Sequence, residues 1–111
     1  MKKNKFKPVK GFNRNKKTGH VSYAYYQKGN NVKSLGFTHN DDKRYGKLSK
    51  LKRNIDPTDT EDCYVKHNIE NYKSNFYKYD TRYKDYRIHK LDKPLIDSII
   101  KNNSFKKKKK R

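Results

Sequence analysis

Hydrophobic and polar positions alternate most clearly between residues 20 and 39. Residues 20–27 (HVSYAYYQ) are β-branched and aromatic, a composition that favours strand. Residues 28–31 (KGNN) tolerate positive φ and suit a turn. Residues 32–39 (VKSLGFTH) follow as a second strand, so the pattern predicts a β-hairpin. Closing the loop over residues 28–31 pairs Gln27 with Val32, Ala24 with Leu35, Ser22 with Phe37 and His20 with His39. Strand side chains alternate between faces. That register sets Ala24, Leu35 and Phe37 on one face, with Tyr23 and Tyr25 on the other opposite Gly36 and Ser34.

The period weakens downstream. Leu48, Leu51 and Ile55 have the spacing of one helical stripe, so residues 41–53 read as a basic linker or short helix. Residues 56–62 (DPTDTED) form an acidic turn. Thr58 and Glu61 fit a capping box, but the β-prone run 63–65 that follows favours a loop leading into a strand. Tyr72, Phe76, Tyr79, Tyr83 and Tyr86 trace a helical stripe, yet tyrosine prefers strands. An irregular segment or short helix through the seventies is expected there, then a strand near 83–89. Over 92–102, Asp92 can cap, Pro94 fits a first turn, and Leu95, Ile96, Ile99 and Ile100 give an apolar face, so a helix is predicted. The whole predicts an α+β fold: a small antiparallel sheet on the N-terminal hairpin, with a C-terminal helix packed on it. A single domain would span 18–103, between a flexible basic arm (1–17) and a disordered cationic tail (104–111).

Composition tests whether this chain can fold. Leu, Ile, Val and Phe make up 20 of 111 residues, which at high net charge borders on disorder. Ten tyrosines offset the shortage, because each buries a large ring while its hydroxyl finds a partner. No run approaches the ~18 apolar residues of a membrane span, and no membrane partner is expected. The N-terminus is basic but lacks an apolar stretch behind it, so no secretory signal is expected. Cys63 is the single cysteine, which removes an intramolecular disulfide and fits a reducing cytoplasm.

Charge narrows the function. Residues 1–53 hold 16 basic and 2 acidic residues, residues 54–105 hold 9 of each, and residues 106–111 are all basic. The preference for Lys over Arg, 25 to 6, fits a bias toward AT-rich codons. Such a bias is charge-neutral and does not explain a net charge of +20. A lopsided cationic surface points to a polyanion, since each phosphate neutralised releases condensed counterions. Nucleic acid is the expected partner, RNA ahead of DNA. Lys28, Lys33, Lys43, Lys47, Lys50, Lys52 and Arg53 would contact phosphates, and Tyr23 and Tyr25 would stack on bases. Core packing is the alternative role for both tyrosines.

Three other constellations carry candidate chemistry. His20 and His39 face each other in the expected register, and two imidazoles could serve as acid and base in metal-independent RNA cleavage. Lys33 or Arg44 could then hold the scissile phosphate. Cys63 and His67 lie four apart, but one such element is too little for a zinc site, so no metal or other cofactor is expected. Asp56, Asp59, Glu61 and Asp62 could ligate Mg²⁺, but read better as a solvated, charge-balancing turn. A nucleic-acid-associated protein is a further possible partner, with this chain as inhibitor or adaptor.

The stretch from Gly19-His20 through Gly29-Asn30 to Leu35-Gly36-Phe37-Thr38-His39 resembles the opening of small basic proteins of bacterial mobile elements and phages. Some of these are similar to the barnase, EndoU and RelE class of compact ribonucleases. The resemblance extends loosely over residues 19–101, through Asp56-Pro57, Tyr64-Val65 and Asp92-Lys93. It implies an α+β fold, RNA as substrate and roles for His20, Thr38 and His39. The phosphate-gripping arginine of such nucleases has no clear counterpart here; Arg44 and Arg53 are the candidates.

Overall fold

The computed structural model describes residues 7–109, and the side chains of all of these except 43 and 104–109. The expected arm at 1–6 and tail residues 110–111 lie outside the described residues, as does the side chain of Lys43. Seven strands, β1 (Gly11–Asn15), β2 (Val21–Lys28), β3 (Asn31–Thr38), β4 (Leu48–Lys50), β5 (Tyr64–Lys66), β6 (Glu70–Lys73) and β7 (Tyr77–Lys78), form one antiparallel sheet. A single helix follows, α1 (Lys93–Lys109). The fold is α+β, as the sequence patterning predicts.

The β2–β3 hairpin forms with a two-residue loop, Gly29-Asn30, between paired Lys28 and Asn31. Gly29 supplies the positive φ of 59° that the turn needs, at no Cβ cost. Gln27 pairs with Val32, as expected, but the register then slips. Tyr25 bulges out between Ala24 and Tyr26, so Ala24 pairs with Ser34, Tyr23 with Leu35 and Ser22 with Gly36. One extra residue on one strand reassigns every pair beyond it. Tyr23 and Leu35 therefore share a face, and the small residues face the other way.

Several other expectations are corrected. Residues 11–15 are strand β1, paired along β2 from Gly11–Ala24 to Arg14–Val21, and not part of a flexible arm. Phe12 anchors that strand in the core and Val9 is buried beside it. Residues 48–50 are strand β4, not a helix: Leu48, Ser49 and Lys50 pair with Lys66, Val65 and Tyr64. No strand forms near 83–89; a 3-10 turn (Thr81–Tyr83) leads into irregular chain there, whose Tyr83 and Tyr86 rings pack 5.0 Å apart. The helix continues to Lys109, past the boundary expected at 103.

β3 has two neighbours on one edge. β6 pairs along Asn31 to Ser34, and β5 along Phe37 and Thr38. β6 passes through one 3-10 turn into β7, which pairs with β1. The circuit β1–β2–β3–β6–β7 thus returns to β1, and the sheet curls around an interior. Its outer face carries the main core: Phe12, Leu35, Phe37 and Val65 pack with Leu51, Ile55, Cys63, Tyr83, Ile96 and Ile99. The interior holds a smaller apolar cluster, Val9, Ala24, Val32 and Tyr77.

Beside that cluster sits a buried polar network. Glu70 Oε1 accepts from Ser22 Oγ (2.6 Å), Asn15 Nδ2 (3.0 Å) and Ser34 Oγ (3.2 Å). Ser34 Oγ is also 2.8 Å from the Tyr77 hydroxyl. Lys66 Nζ lies 3.8 Å from Glu70 Oε2, with both side chains about nine-tenths buried. Gly36 makes room for them: a Cβ there would sit 2.4 Å from Glu70 Oε2.

Candidate functional site

The sheet order divides the expected binding residues between the two ends of the hairpin. Near the turn, an open groove is lined by Pro8, Lys10, Tyr23, Tyr25, Tyr26 and Gln27. Lys33 Nζ lies 5.8 Å from the Tyr26 ring, which is half exposed. Lys28 is exposed at the tip. Tyr23 and Tyr25 take the core-packing role and also keep a face toward the groove. Each borders the groove and each also packs against the main core; the Tyr23 ring is 5.0 Å from Phe12. Burial raises the Tyr25 phenol above its ordinary pKa, so it stays protonated.

Lys47, Lys50, Lys52 and Arg53 lie at the opposite end. β4 reaches β3 only through β5, which pairs with Phe37 and Thr38, roughly 20 Å along the strands from the turn. The cations expected to contact phosphates therefore lie in two separate patches. All four cations are exposed, and Lys50 Nζ is 3.3 Å from Asp62 Oδ1. The backbone N–H groups of Lys52 and Arg53 donate to Asp92 Oδ1 and Oδ2 at 2.8 and 3.1 Å. This is the use of the carboxylate expected to cap α1: Asp92 is buried, and it satisfies its oxygens on the neighbouring loop.

Between that patch and the hairpin lies a cavity of about 280 Å³. His20, Thr38 and His39 all line it, with Asn54, Ile55, Asp56, Asp59, Cys63 and Tyr86 among the other walls. His20 Nδ1 is 3.2 Å from the Phe37 carbonyl and His39 Nδ1 is 3.2 Å from the Asp62 carbonyl. A carbonyl can only accept, so each Nδ1 carries a proton and each neutral ring keeps Nε2 as an acceptor. Burial, and then the Lys66 charge, hold the His20 pKa below 6.5, so that ring is neutral at pH 7. Lys66 acts from behind Tyr45. Its ammonium lies 4.7 Å from that ring, which the His20 ring meets edge-on at 5.4 Å.

The cavity is acidic rather than cationic. Asp59 Oδ2 is 3.9 Å from His39 Nε2, and Asp59 Oδ1 accepts from the Glu61 amide. Asp56 Oδ1 accepts from the Thr58 amide and hydroxyl, and Asp56 Oδ2 from the Tyr86 hydroxyl. Arg44 stands apart, its guanidinium bidentate on Asp42 and outside the cavity lining. Arg53 is likewise outside that lining. The Thr38 hydroxyl accepts from the Asn40 amide. Burial drives the Cys63 thiol up to about 11, so it is no nucleophile. Among the described residues no three His, Cys, Asp or Glu side chains are placed to hold a metal ion. His67, considered with Cys63, is instead bonded through Nε2 to Ser49 Oγ at 2.6 Å.

Sequence reasoning missed Asp56, Asp59 and Tyr86 as cavity residues, and Lys10 as a groove residue. The turn 56–62 reads as solvated because it is acidic. Its local signal is Asx bonding: Asn54, Asp56 and Asp59 each accept the amide two residues on, which stiffens the loop against the hairpin. Comparison with family models, curated proteins and solved structures finds no match for this chain. No helix among the described residues is long and apolar enough to cross a membrane.

Proposed function

We propose that the protein binds nucleic acid, RNA ahead of DNA, through phosphate contacts at its two basic patches and base stacking in the tyrosine groove. One observation carries this reading. Lys10, Arg14, Lys16, Lys28, Lys47, Lys52 and Arg53 are exposed and, among the described residues, pair with no carboxylate. Among the described residues the ion pairs fall between His39 and Arg82. A surface that leaves so many cations uncompensated is set to exchange small counterions for phosphates.

The test is anisotropy of a labelled single-stranded oligonucleotide across a salt series. A protein contacting about five phosphates gives a slope of log affinity on log salt near −3.5. Replacing Lys47, Lys50 and Lys52 together by Glu is expected to weaken binding at least tenfold, while the same change at Lys84 and Lys90 costs less than threefold. A flat salt series, or equal losses from the two sets, refutes the reading.

A second reading, metal-independent RNA cleavage, draws on the convergence of His20 and His39 on one cavity, each with its Nδ1 held against a backbone carbonyl. Against it stand the two aspartates and the missing cation. RNA incubated in EDTA with the protein and with His20→Ala decides: cleavage by the first alone establishes the enzyme.

A further inference from the structure

The cavity between the hairpin and the 54–62 loop has walls of two kinds. Val21, Phe37, Ile55 and Tyr86 are apolar or aromatic; the polar groups are mostly acceptors. Both imidazoles have their Nδ1 committed to a backbone carbonyl, and the neutral His20 ring presents a lone pair at Nε2. Asp59 Oδ2 stands 3.9 Å from the His39 ring, too long for a hydrogen bond, and accepts no hydrogen bond among the described residues. At about 280 Å³ the space is at the small end for a ligand site and takes one ring system, not a stretch of chain.

These features select among ligand chemistries. A phosphate would meet two carboxylates and no cation. A small cation would meet favourable carboxylates, but inside a molecule whose net charge is +20. A neutral planar ring that presents donors suffers neither repulsion. It would stack on the aromatic walls and donate to Asp59 and His20.

We infer that this cavity receives a single unstacked nucleobase bearing an exocyclic amine. Cytosine, adenine and guanine carry such an amine; uracil and thymine present one ring N–H between two carbonyls, which oppose the acceptors of the cavity. The inference rests on the nucleic-acid reading above and adds base preference to it. The neighbouring Lys52 and Arg53 would hold the flanking phosphates, dividing positioning from reading in the usual way. Removing a base from its stack costs least in single strands, so a single-stranded ligand is implied.

Nucleosides separate this site from the phosphate patches, because they carry no charge. Cytidine titrated into the full chain is expected to move the His20 and His39 imidazole proton resonances and leave His89 in place, with uridine giving a several-fold weaker response. Oligo-C is expected to bind about tenfold tighter than oligo-U at one salt concentration. Asp59→Ala, at a partly exposed loop position, should reduce that ratio below about threefold while the salt slope is kept. Equal binding of oligo-C and oligo-U with a normal salt slope overturns the base pocket and leaves the phosphate reading standing. Failure of both oligonucleotides to bind at low salt sinks the phosphate reading, and the nucleoside titration then judges the cavity alone. Identical shifts with cytidine and uridine, or none with either, overturn the inference.

Discussion

On one face of the β2–β3 hairpin, Leu35 and Phe37 are sealed by Phe12, Val65, Ile96 and Ile99. On the other, Ser22 and Ser34 are just as inaccessible, and what covers them is the carboxylate of Glu70. The first face is held by area removed from water, which is non-directional and tolerates change of shape. The second is held by a small number of directional bonds, each of which leaves a buried polar atom stranded if its partner goes. A chain with few aliphatic residues has made one side of its sheet a conventional core and the other a hydrogen-bonded one. The polar face should therefore be the more brittle.

The largest effect expected is from Glu70→Ala. It strands the Asn15, Ser22 and Ser34 donors and leaves Lys66 buried without a counter-charge, at a cost of about 4 kcal/mol in urea unfolding. Adding Lys66→Met should recover part of that loss, because the uncompensated charge then goes too. If the double variant is less stable than the single one, the ammonium is not the source of the penalty. On the apolar face, Leu35→Ala is expected to cost about 3 kcal/mol through lost burial and the cavity left behind. An apolar truncation that clearly exceeds the Glu70 loss would reverse the comparison. Gly36→Ala should come next at about 2 kcal/mol, since its new Cβ can be accommodated only by moving Glu70 and Lys66.

The same contrast explains what could be read from the chain. Leu95, Ile96, Ile99 and Ile100 sit on one helical stripe, and α1 was predictable because apolar periodicity is a local signal. The hairpin was predictable for the same reason, together with the Gly29 turn. Its register was not. Ser22, Ala24, Ser34 and Gly36 are small, and a pattern of small residues does not say whether they face solvent or a buried carboxylate far along the chain. The bulge at Tyr25 is fixed by that network and by Leu35 meeting Tyr23, both tertiary facts. Strand β1 was hidden by its asparagines and Arg14, because Asn13 and Asn15 are buried on the polar side of the sheet. At the candidate site, His20, Thr38 and His39 reached one cavity despite the wrong register, because both registers place the chain ends of the hairpin together. Asp56 and Asp59 arrive from a loop that no periodicity links to the hairpin.

The smallest effect concerns pH, and it bears on the edges of both faces. His20 and His67 are held below 6.5, each first by burial and then by a nearby ammonium, Lys66 for the one and Lys47 for the other. Between the folded and unfolded pKa values the unfolded chain binds more protons, so stability rises with pH through that window. The contribution is complete above pH 6.5 and is lost as pH falls below it. The urea midpoint is expected to drop between pH 7 and pH 5, a range chosen to stay above the ordinary carboxylate pKa of 3.8. His20→Asn should flatten part of that drop, and His67→Asn a further part. Both rings are partly exposed, so the change is smaller than that of any truncation above. Protonation elsewhere on so basic a chain also destabilises it at low pH, which is why the wild-type drop alone decides nothing. The variants decide: if both keep the full wild-type slope, burial of these two imidazoles is not what makes the fold acid-sensitive.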